Sequence, residues 1–293
     1  MKKIQVLALS IVAVFVFAAR ADEFKFPLKF GSVRFAAIGD MGTGKAPQYE
    51  VAQQMTTSRQ VFPFDFVIML GDNIYGGSTP KDFERKFETP YKALLDAGVK
   101  FYASLGNHDN PNARFYKLFN MNESNYYTFR KGNVRFFVLD SNYMDEKQLA
   151  WLEKELHDAA NGDWKICFFH HPLYSSGKAH GSSVELRGLI EPIFVKYGVD
   201  AVFSGHDHVY ERVKPQKGIY YFLEGSSGQL RQGGLKNTSI TEKGHDADRT
   251  FMLIEIAGDE MYFQTLSRTG AQVDSGVLRR PVHTPSTPEI PNR

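Results

Sequence analysis

Five short apolar runs in the chain each end abruptly in a cluster of polar residues. Phe66–Leu70 is the clearest of these runs, because it is apolar at every position. A strand that is apolar on both of its alternating faces is typical of a sheet that is covered on both sides. We therefore predict strands over residues 33–38, 65–70, 100–105, 165–169 and 200–204.

Helical periodicity separates several of these runs. In residues 145–159, Leu149, Leu152 and Leu156 recur at helical spacing, and Asp145 stands where an N-cap is expected. Further helices are predicted over residues 48–60, 81–97 and 182–197.

Antiparallel strands are predicted later in the chain. Lys131-Gly132-Asn133 is a turn signal between two apolar segments, which is typical of a hairpin. Because helices alternate with strands early and strands dominate late, we predict an α/β fold, a four-layer α/β/β/α sandwich of two mixed β-sheets flanked by helices. The antiparallel segments are residues 126–130, 134–140, 218–224, 251–256 and 261–267.

The N-terminus has the pattern of a secretory signal peptide over residues 1–21. Lys2 and Lys3 precede an apolar run over residues 4–19, and a small-residue cleavage pattern ends at Ala21. We therefore predict cleavage after Ala21 and a secreted or periplasmic mature protein. An uncleaved membrane anchor is the alternative, because the apolar run is close to the shortest length that spans a bilayer.

The remaining sequence is predicted to form one domain over residues 22–279 and a proline-rich tail over residues 280–293. The chain has 293 residues, of which 42% are hydrophobic, enough for one large core. The tail has four prolines and no apolar periodicity.

The charge balance argues against a surface that binds nucleic acid. The chain has 35 basic and 33 acidic residues, and loss of Lys2, Lys3 and Arg20 with the signal peptide leaves a net charge of −1. We expect no nucleic-acid partner, and no membrane association after cleavage. Cys167 is the only cysteine, so the chain has no internal disulfide.

The polar clusters after the five runs contain side chains that are typical of metal sites. Taken singly, each cluster is a weak signal, since Gly-Asp after a strand can also cap a helix or form a turn. Because α/β sheets build their sites at the carboxyl ends of strands, we expect five such clusters in one chain to converge. The clusters are Gly39-Asp40, Gly71-Asp72, Gly106-Asn107-His108-Asp109, His170-His171-Pro172 and Gly205-His206-Asp207-His208.

The donor types in these clusters point to phosphoester hydrolysis. Carboxylate, amide and imidazole donors without a thiolate suit a pair of Fe, Zn or Mn ions. Two such ions about 3.5–4 Å apart can activate water to hydroxide and stabilise the attacking and leaving oxygens of a phosphoryl transfer. The candidate ligands are Asp40, Asp72, Asn107, His170, His206 and His208.

One motif offers an alternative interpretation. Residues 39–45 satisfy the G-x-x-x-x-G-K pattern of a nucleotide-binding loop after a strand. However, Ala46 stands where a serine or threonine would hold Mg²⁺, and Pro47 follows it. A P-loop would also leave the other four clusters unexplained, so we do not favour it.

In chain order, the five clusters resemble the motif blocks of purple acid phosphatases within the calcineurin-like metallophosphatases. The resemblance extends over residues 33–212 and is strongest to the small tartrate-resistant type. It implies a first metal ion, Fe(III), held by Asp40, Asp72, Tyr75 and His208. It implies a second metal ion, Fe(II), Zn or Mn, held by Asp72, Asn107, His170 and His206, with Asp72 bridging the two.

The resemblance also suggests roles for residues around the ligands. Tyr75 would supply the tyrosinate that defines this subgroup, and simple packing beside the turn is the alternative. His108 would contact the substrate or protonate the leaving group. His180 lies one residue beyond the position of a substrate-side histidine in small family members, and a loop histidine is the alternative. His171 is expected to be structural, and the glycines in residues 225–228 only weakly indicate backbone near the site.

The sequence therefore predicts an exported dinuclear phosphoesterase that hydrolyses phosphate monoesters of small molecules or proteins. A phosphodiesterase or nucleotidase on the same scaffold is the first alternative. A metal-binding surface module without catalysis is the second. Neither the physiological ester nor the oligomeric state is predicted.

Overall fold

The computed structural model describes residues 24–160, 162–236 and 238–281. The predicted signal peptide and nearly all of the predicted tail lie outside the described residues, so both stay predictions. In chain order the strands are β1 (Val33–Ile38), β2 (Phe66–Leu70), β3 (Lys100–Ser104), β4 (Tyr127–Lys131), β5 (Val134–Val138), β6 (Trp164–Phe168), β7 (Ala201–Ser204), β8 (Tyr210–Gln216), β9 (Ile219–Glu224), β10 (Thr241–His245), β11 (Thr250–Ala257), β12 (Glu260–Ser267) and β13 (Gln272–Arg279).

In the described residues the α-helices are fewer than the strands. Within the described ranges, none of them combines the length and the apolar character needed to cross a bilayer. The α-helices are α1 (Ala46–Arg59), α2 (Pro80–Phe83), α3 (Thr89–Asp96), α4 (Glu146–His157) and α5 (Val184–Tyr197).

Each of the two sheets contains a block of parallel strands. In the first sheet, with the order β13-β12-β11-β1-β2-β3, strands β1, β2 and β3 are parallel neighbours. In the second, with the order β10-β8-β9-β7-β6-β5-β4, strands β5, β6, β7 and β9 are parallel. Antiparallel strands complete both sheets, so both are mixed, and the carboxyl ends of each parallel block share one edge.

The two sheets pack face to face through aromatic side chains. The Phe35 ring of β1 lies 5.4 Å from the Phe136 ring of β5 and 6.2 Å from the Phe203 ring of β7. On the opposite face of the second sheet, Phe137 packs in a separate cluster with Leu152 of α4. Helix α1 contacts the first sheet at β11. This arrangement confirms the predicted sandwich of two mixed sheets flanked by helices.

The segment 81–97 is divided, although its sequence predicts one helix. Residues 84–88 form a π-helical turn between α2 and α3. Pro90 has no N–H group to donate to the carbonyl of Lys86, four residues before it. That carbonyl accepts a hydrogen bond from Gln48 Nε2 instead, at 2.5 Å. The proline therefore accounts for the interruption, and α1 supplies the missing donor.

Candidate metal centre

The carboxyl ends of parallel strands from both sheets meet in one place. The first sheet contributes side chains that follow β1, β2 and β3, and the second contributes side chains that follow β6 and β7. Distances of 3.0–3.5 Å link the predicted ligands to one another. The residues brought together in this way are Asp40, Asp72, Tyr75, Asn107, His170, His206 and His208.

Asp40 is the centre of the first group of donors. Its carboxylate is buried, and Oδ1 accepts a hydrogen bond from the Tyr75 hydroxyl at 3.0 Å. His208 Nε2 lies 3.4 Å from the same oxygen and 3.3 Å from the Tyr75 hydroxyl. The other oxygen, Oδ2, accepts the backbone N–H of His206 at 2.8 Å. Two oxygens and an imidazole nitrogen are thus close enough to share one cation.

His170 is the centre of the second group. Its Nδ1 lies 2.9 Å from the carbonyl oxygen of Leu70. A carbonyl only accepts, so Nδ1 carries the proton and Nε2 has a free lone pair. Nε2 faces the side-chain oxygen of Asn107 at 3.0 Å and Nδ1 of His206 at 3.1 Å. A buried nitrogen lone pair opposite an amide oxygen is an arrangement that a bound cation stabilises.

Asp72 lies between the two groups. Its Oδ1 is 3.5 Å from His170 Nε2 in the second group. Burial, followed by the charges of Asp40 and Asp72, raises the pKa of the Tyr75 hydroxyl, so Asp72 is also close to the first group. The backbone N–H of His108 donates to Asp72 Oδ1 at 2.9 Å and fixes the carboxylate. This position is the one that a bridging ligand requires.

The protonation states favoured by the protein also fit a metal centre. Burial lowers the pKa of His206 to about 2 and that of His208 to about 4, and it lowers the pKa of His170 as well. All three imidazoles are therefore neutral, which is the form that binds metals. Burial, and then the neighbouring charge of Asp72, raises the pKa of Asp40. A cation between these two carboxylates would offset that repulsion.

Glycine precedes several ligands because the site leaves no space for a side chain. A Cβ atom on Gly106 would lie 2.2 Å from Asp72 Oδ1, and one on Gly205 would lie 2.5 Å from Asp40 Oδ2. Gly71 has a φ of +90°, which residues with a side chain rarely adopt. The Gly-Asp, Gly-Asn and Gly-His pairs in the sequence therefore follow from close packing of loops around the ligands.

The two predicted catalytic histidines lie on the solvent side of the site. The exposed His108 ring is 4.9 Å from the ring of Tyr75. The exposed His180 ring is 4.1 Å from the ring of His206. The His180 side chain therefore lies beside a candidate ligand.

His171, which is expected to be structural, packs against the candidate ligand His206. Its ring is 4.4 Å from the ring of His206, and it belongs with His170 and His206 to a group whose ligand atoms lie within 4.8 Å of one another. Its Nδ1 is 2.9 Å from Ser141 Oγ. The serine holds the ring in place, so His171 forms part of the wall of the site.

Two carboxylates inside the motifs position the loops, and sequence reasoning did not single them out. Asp109 Oδ2 accepts a hydrogen bond from the backbone N–H of Asn73 at 3.0 Å and so joins the loops after β2 and β3. Burial raises the pKa of the Asp109 carboxyl group to about 7. Asp207 Oδ2 accepts Ser175 Oγ–H at 2.6 Å, and Oδ1 accepts the N–H of His180 at 3.2 Å. Asp109 and Asp207 both lie within the motif clusters, and this position in the sequence could have identified them.

Segment 225–231 lies along the ligand loops and is held there by its backbone. A Cβ atom on Gly225 would lie 2.1 Å from the carbonyl oxygen of Asp207, so backbone approaches backbone directly. Alternate N–H groups of the segment donate to carbonyls of the loops that carry the ligands, at 2.9–3.1 Å. These bonds run from Gly225 to Val209, from Ser227 to Gly39, from Gln229 to Asp40 and from Arg231 to His208.

Comparison with known proteins identifies relatives of similar sequence and structures of similar fold. Tartrate-resistant acid phosphatase type 5 of Rattus norvegicus is 25% identical over 303 residues, which cover 85% of this chain and 91% of the rat protein. The purple acid phosphatase PPD1 of yellow lupin (Lupinus luteus) has a similar fold, with a TM-score of 0.71 and 19% identity over 85% of this chain and 54% of the lupin chain. GAP50 of Plasmodium, described as the anchor in the inner membrane complex, has a TM-score of 0.76 and 21% identity over 87% of this chain and 90% of its own.

The family model matches most of the predicted domain. Residues 33–210 match the calcineurin-like phosphoesterase family, and this range contains every predicted ligand. It begins at β1 and ends at the start of β8, so it includes all five motif clusters. The chain belongs to the calcineurin-like phosphoesterase family.

Proposed function

We propose that the protein is an exported acid phosphatase that binds two metal ions and hydrolyses phosphate monoesters. The observation that carries the proposal is the position of Asp72 between a donor group centred on Asp40 and one centred on His170. The similarity to an acid phosphatase from rat supports a monoester as the substrate. Export rests on the sequence pattern of residues 1–21 alone.

The proposed ligand sets follow the two donor groups. Fe(III) is the proposed first ion, and Fe(II), Zn or Mn is the proposed second ion. The first would be held by Asp40, Asp72, Tyr75 and His208, which lie within hydrogen-bonding or ion-pair distance of a neighbour in the set. The second would be held by Asp72, Asn107, His170 and His206, whose donor atoms surround His170 Nε2 at 3.0–3.5 Å.

Two bound ions would supply Lewis acidity and an activated water for attack on phosphorus. The side chains of the protein then orient the ester and move protons. His108 is fixed by its backbone bond to Asp72 and lies against Tyr75, so its imidazole can donate a proton to the leaving oxygen. His180, beside His206, can donate a hydrogen bond to a phosphate oxygen on the open side of the site.

Space for the alcohol part of the ester is available beside the ligands. A pocket of about 540 Å³ opens next to Asn107 and is also lined by Asn142, Tyr143 and His171. Its lining combines amide, phenol and imidazole groups, which suits a polar or aromatic organic group. Small organic phosphates and phosphorylated side chains on proteins are therefore the proposed substrates.

Comparison of a monoester with a diester tests this proposal. We expect purified, metal-loaded protein to hydrolyse an aryl phosphate with a kcat/KM at least about tenfold above that for the bis-aryl phosphate, a difference of about 1.4 kcal/mol in activation free energy. A preference for the diester would favour a phosphodiesterase or nucleotidase. Hydrolysis of neither ester, with metal bound, would favour a surface module without catalysis.

A further inference from the structure

Arg231 is a cation held at the edge of the candidate metal centre by its backbone. Its N–H donates to the carbonyl of His208 at 2.9 Å, and its carbonyl accepts the N–H of Gly234 at 2.9 Å. The second bond closes a tight turn in which Gly233 has a φ of +66°. Both the N–H and the carbonyl of Arg231 are therefore hydrogen-bonded, and the N–H is bonded to the backbone of His208, a proposed metal ligand.

The guanidinium of Arg231 points towards the open side of the site. Its Nη2 lies 3.4 Å from His180 Nε2, and the His180 ring lies 4.1 Å from the His206 ring. The guanidinium and the His206 ring therefore both lie beside the His180 ring. An anionic group held by Arg231 and His180 would therefore lie near a phosphate bound at the candidate metal centre.

The guanidinium is also available to a ligand. In the described part of the chain Arg231 forms no ion pair with a carboxylate, whereas Arg212 is paired with Asp274 at 2.8 Å. Asp207, in the same group of loops, accepts the backbone N–H of His180 at 3.2 Å and the hydroxyl of Ser175 at 2.6 Å. The planar guanidinium has the geometry to bind two oxygens of one phosphate.

On the basis of the proposed function, we propose that Arg231 and His180 bind a second anionic group of the substrate, next to the phosphoryl group that is transferred. Besides monoesters, the site would then accept organic diphosphates and bind them more tightly than the monophosphate of the same alcohol. Water attacks the terminal phosphorus, and the bond from that phosphorus to the bridging oxygen breaks. Inorganic phosphate and the monophosphate of the alcohol are the products, and they share the protons of the water.

A matched pair of substrates tests this assignment. For Arg231→Gln, we expect kcat/KM for an aryl diphosphate to fall about 10–100-fold, mainly through KM, because a charged hydrogen-bonding group is lost. The value for the monophosphate of the same alcohol should change by less than about threefold. Lys236→Gln removes the same charge from an exposed position five residues further along, and both of its values should match the wild type. Equal losses for the two substrates in Arg231→Gln, or no loss for either, would overturn the proposal.

A binding experiment separates this inference from the proposed function. Methylenediphosphonate and methylphosphonate can be titrated calorimetrically into metal-loaded wild type and Arg231→Gln, after equal unfolding temperatures show that both are folded. We expect the wild type to bind the diphosphonate about tenfold more tightly than the variant, with no difference for methylphosphonate. Such a difference in protein that hydrolyses no ester would support Arg231 as an anion-binding residue and reject the proposed function. Equal diphosphonate affinities would reject the assignment of Arg231.

Discussion

Asp72→Asn is expected to remove both metal ions and nearly all hydrolysis. The Asp72 carboxylate lies between the Tyr75 hydroxyl and His170 Nε2, so its replacement weakens both donor groups together. We expect kcat/KM for an aryl phosphate to fall by about 10³-fold or more, because loss of one shared ligand would remove both ions and the catalysis that they provide. Metal content per chain and turnover, measured on the same preparation, test this expectation.

Asp40→Asn is the matched comparison, because it removes the same charge from a neighbouring buried carboxylate. Asp40 contacts Tyr75 and His208, whereas the contacts of His170 are with Asn107, His206 and Asp72. We therefore expect Asp40→Asn to lose the first ion and to keep most of the second. If Asp72→Asn retained two ions, or lost only as much metal as Asp40→Asn, Asp72 would not be the bridging ligand.

Gly106→Ala is expected to disrupt the site through a single methyl group. The added Cβ would lie 2.2 Å from Asp72 Oδ1 and 2.3 Å from the Asp72 backbone nitrogen, well inside contact distance. Either the loop after β3 or the carboxylate must move. We expect metal affinity to fall at least about tenfold and the free energy of unfolding to fall by about 1–3 kcal/mol. Metal titration and urea unfolding measure the two effects.

Gly188→Ala is the control for this substitution. Gly188 is exposed within α5, and a Cβ atom there would have no neighbour within 4 Å. Alanine in a helix should raise the free energy of unfolding by about 0.5–1 kcal/mol and leave metal affinity unchanged. Wild-type stability and metal affinity in Gly106→Ala would show that the loop has more freedom than its packing against Asp72 indicates.

Much of the site could be predicted because its ligands follow apolar strands at short, regular distances. Asp72 comes two residues after β2, and Asn107 and His170 follow β3 and β6 within three residues. Parallel strands align their carboxyl ends, so the position of each cluster along its strand was enough to predict that the clusters converge. The same apolar runs indicated the two mixed sheets.

Other features left no readable pattern in the sequence. β10 is mostly polar and lies at a sheet edge, so it lacks the alternation that identifies a strand. Arg231 has no motif around it, because its place depends on backbone bonds between segments that are distant in the chain. His171 was predicted to be structural because its neighbour His170 matches the family's ligand position better, and only the folded structure places its ring against His206.

Backbone conformation at the ligands also could not be read from residue types. Asp40, Asp72 and His206 have φ values of +53°, +52° and +75°, in the left-handed region that residues with a side chain seldom occupy. Such conformations persist where the surrounding structure enforces them, and they are common at functional sites. Here all three left-handed residues are candidate metal ligands, so the sharp turns lie within the site itself.

The most direct test of the dinuclear centre is the metal content of fully active wild-type protein. The protein is stripped with a chelator, reconstituted with iron together with zinc or manganese, and assayed at each step of the titration. Two ions per chain are expected at full activity, with turnover returning only as the second site fills. Full activity with one ion per chain, or with none, would contradict a centre bridged by Asp72.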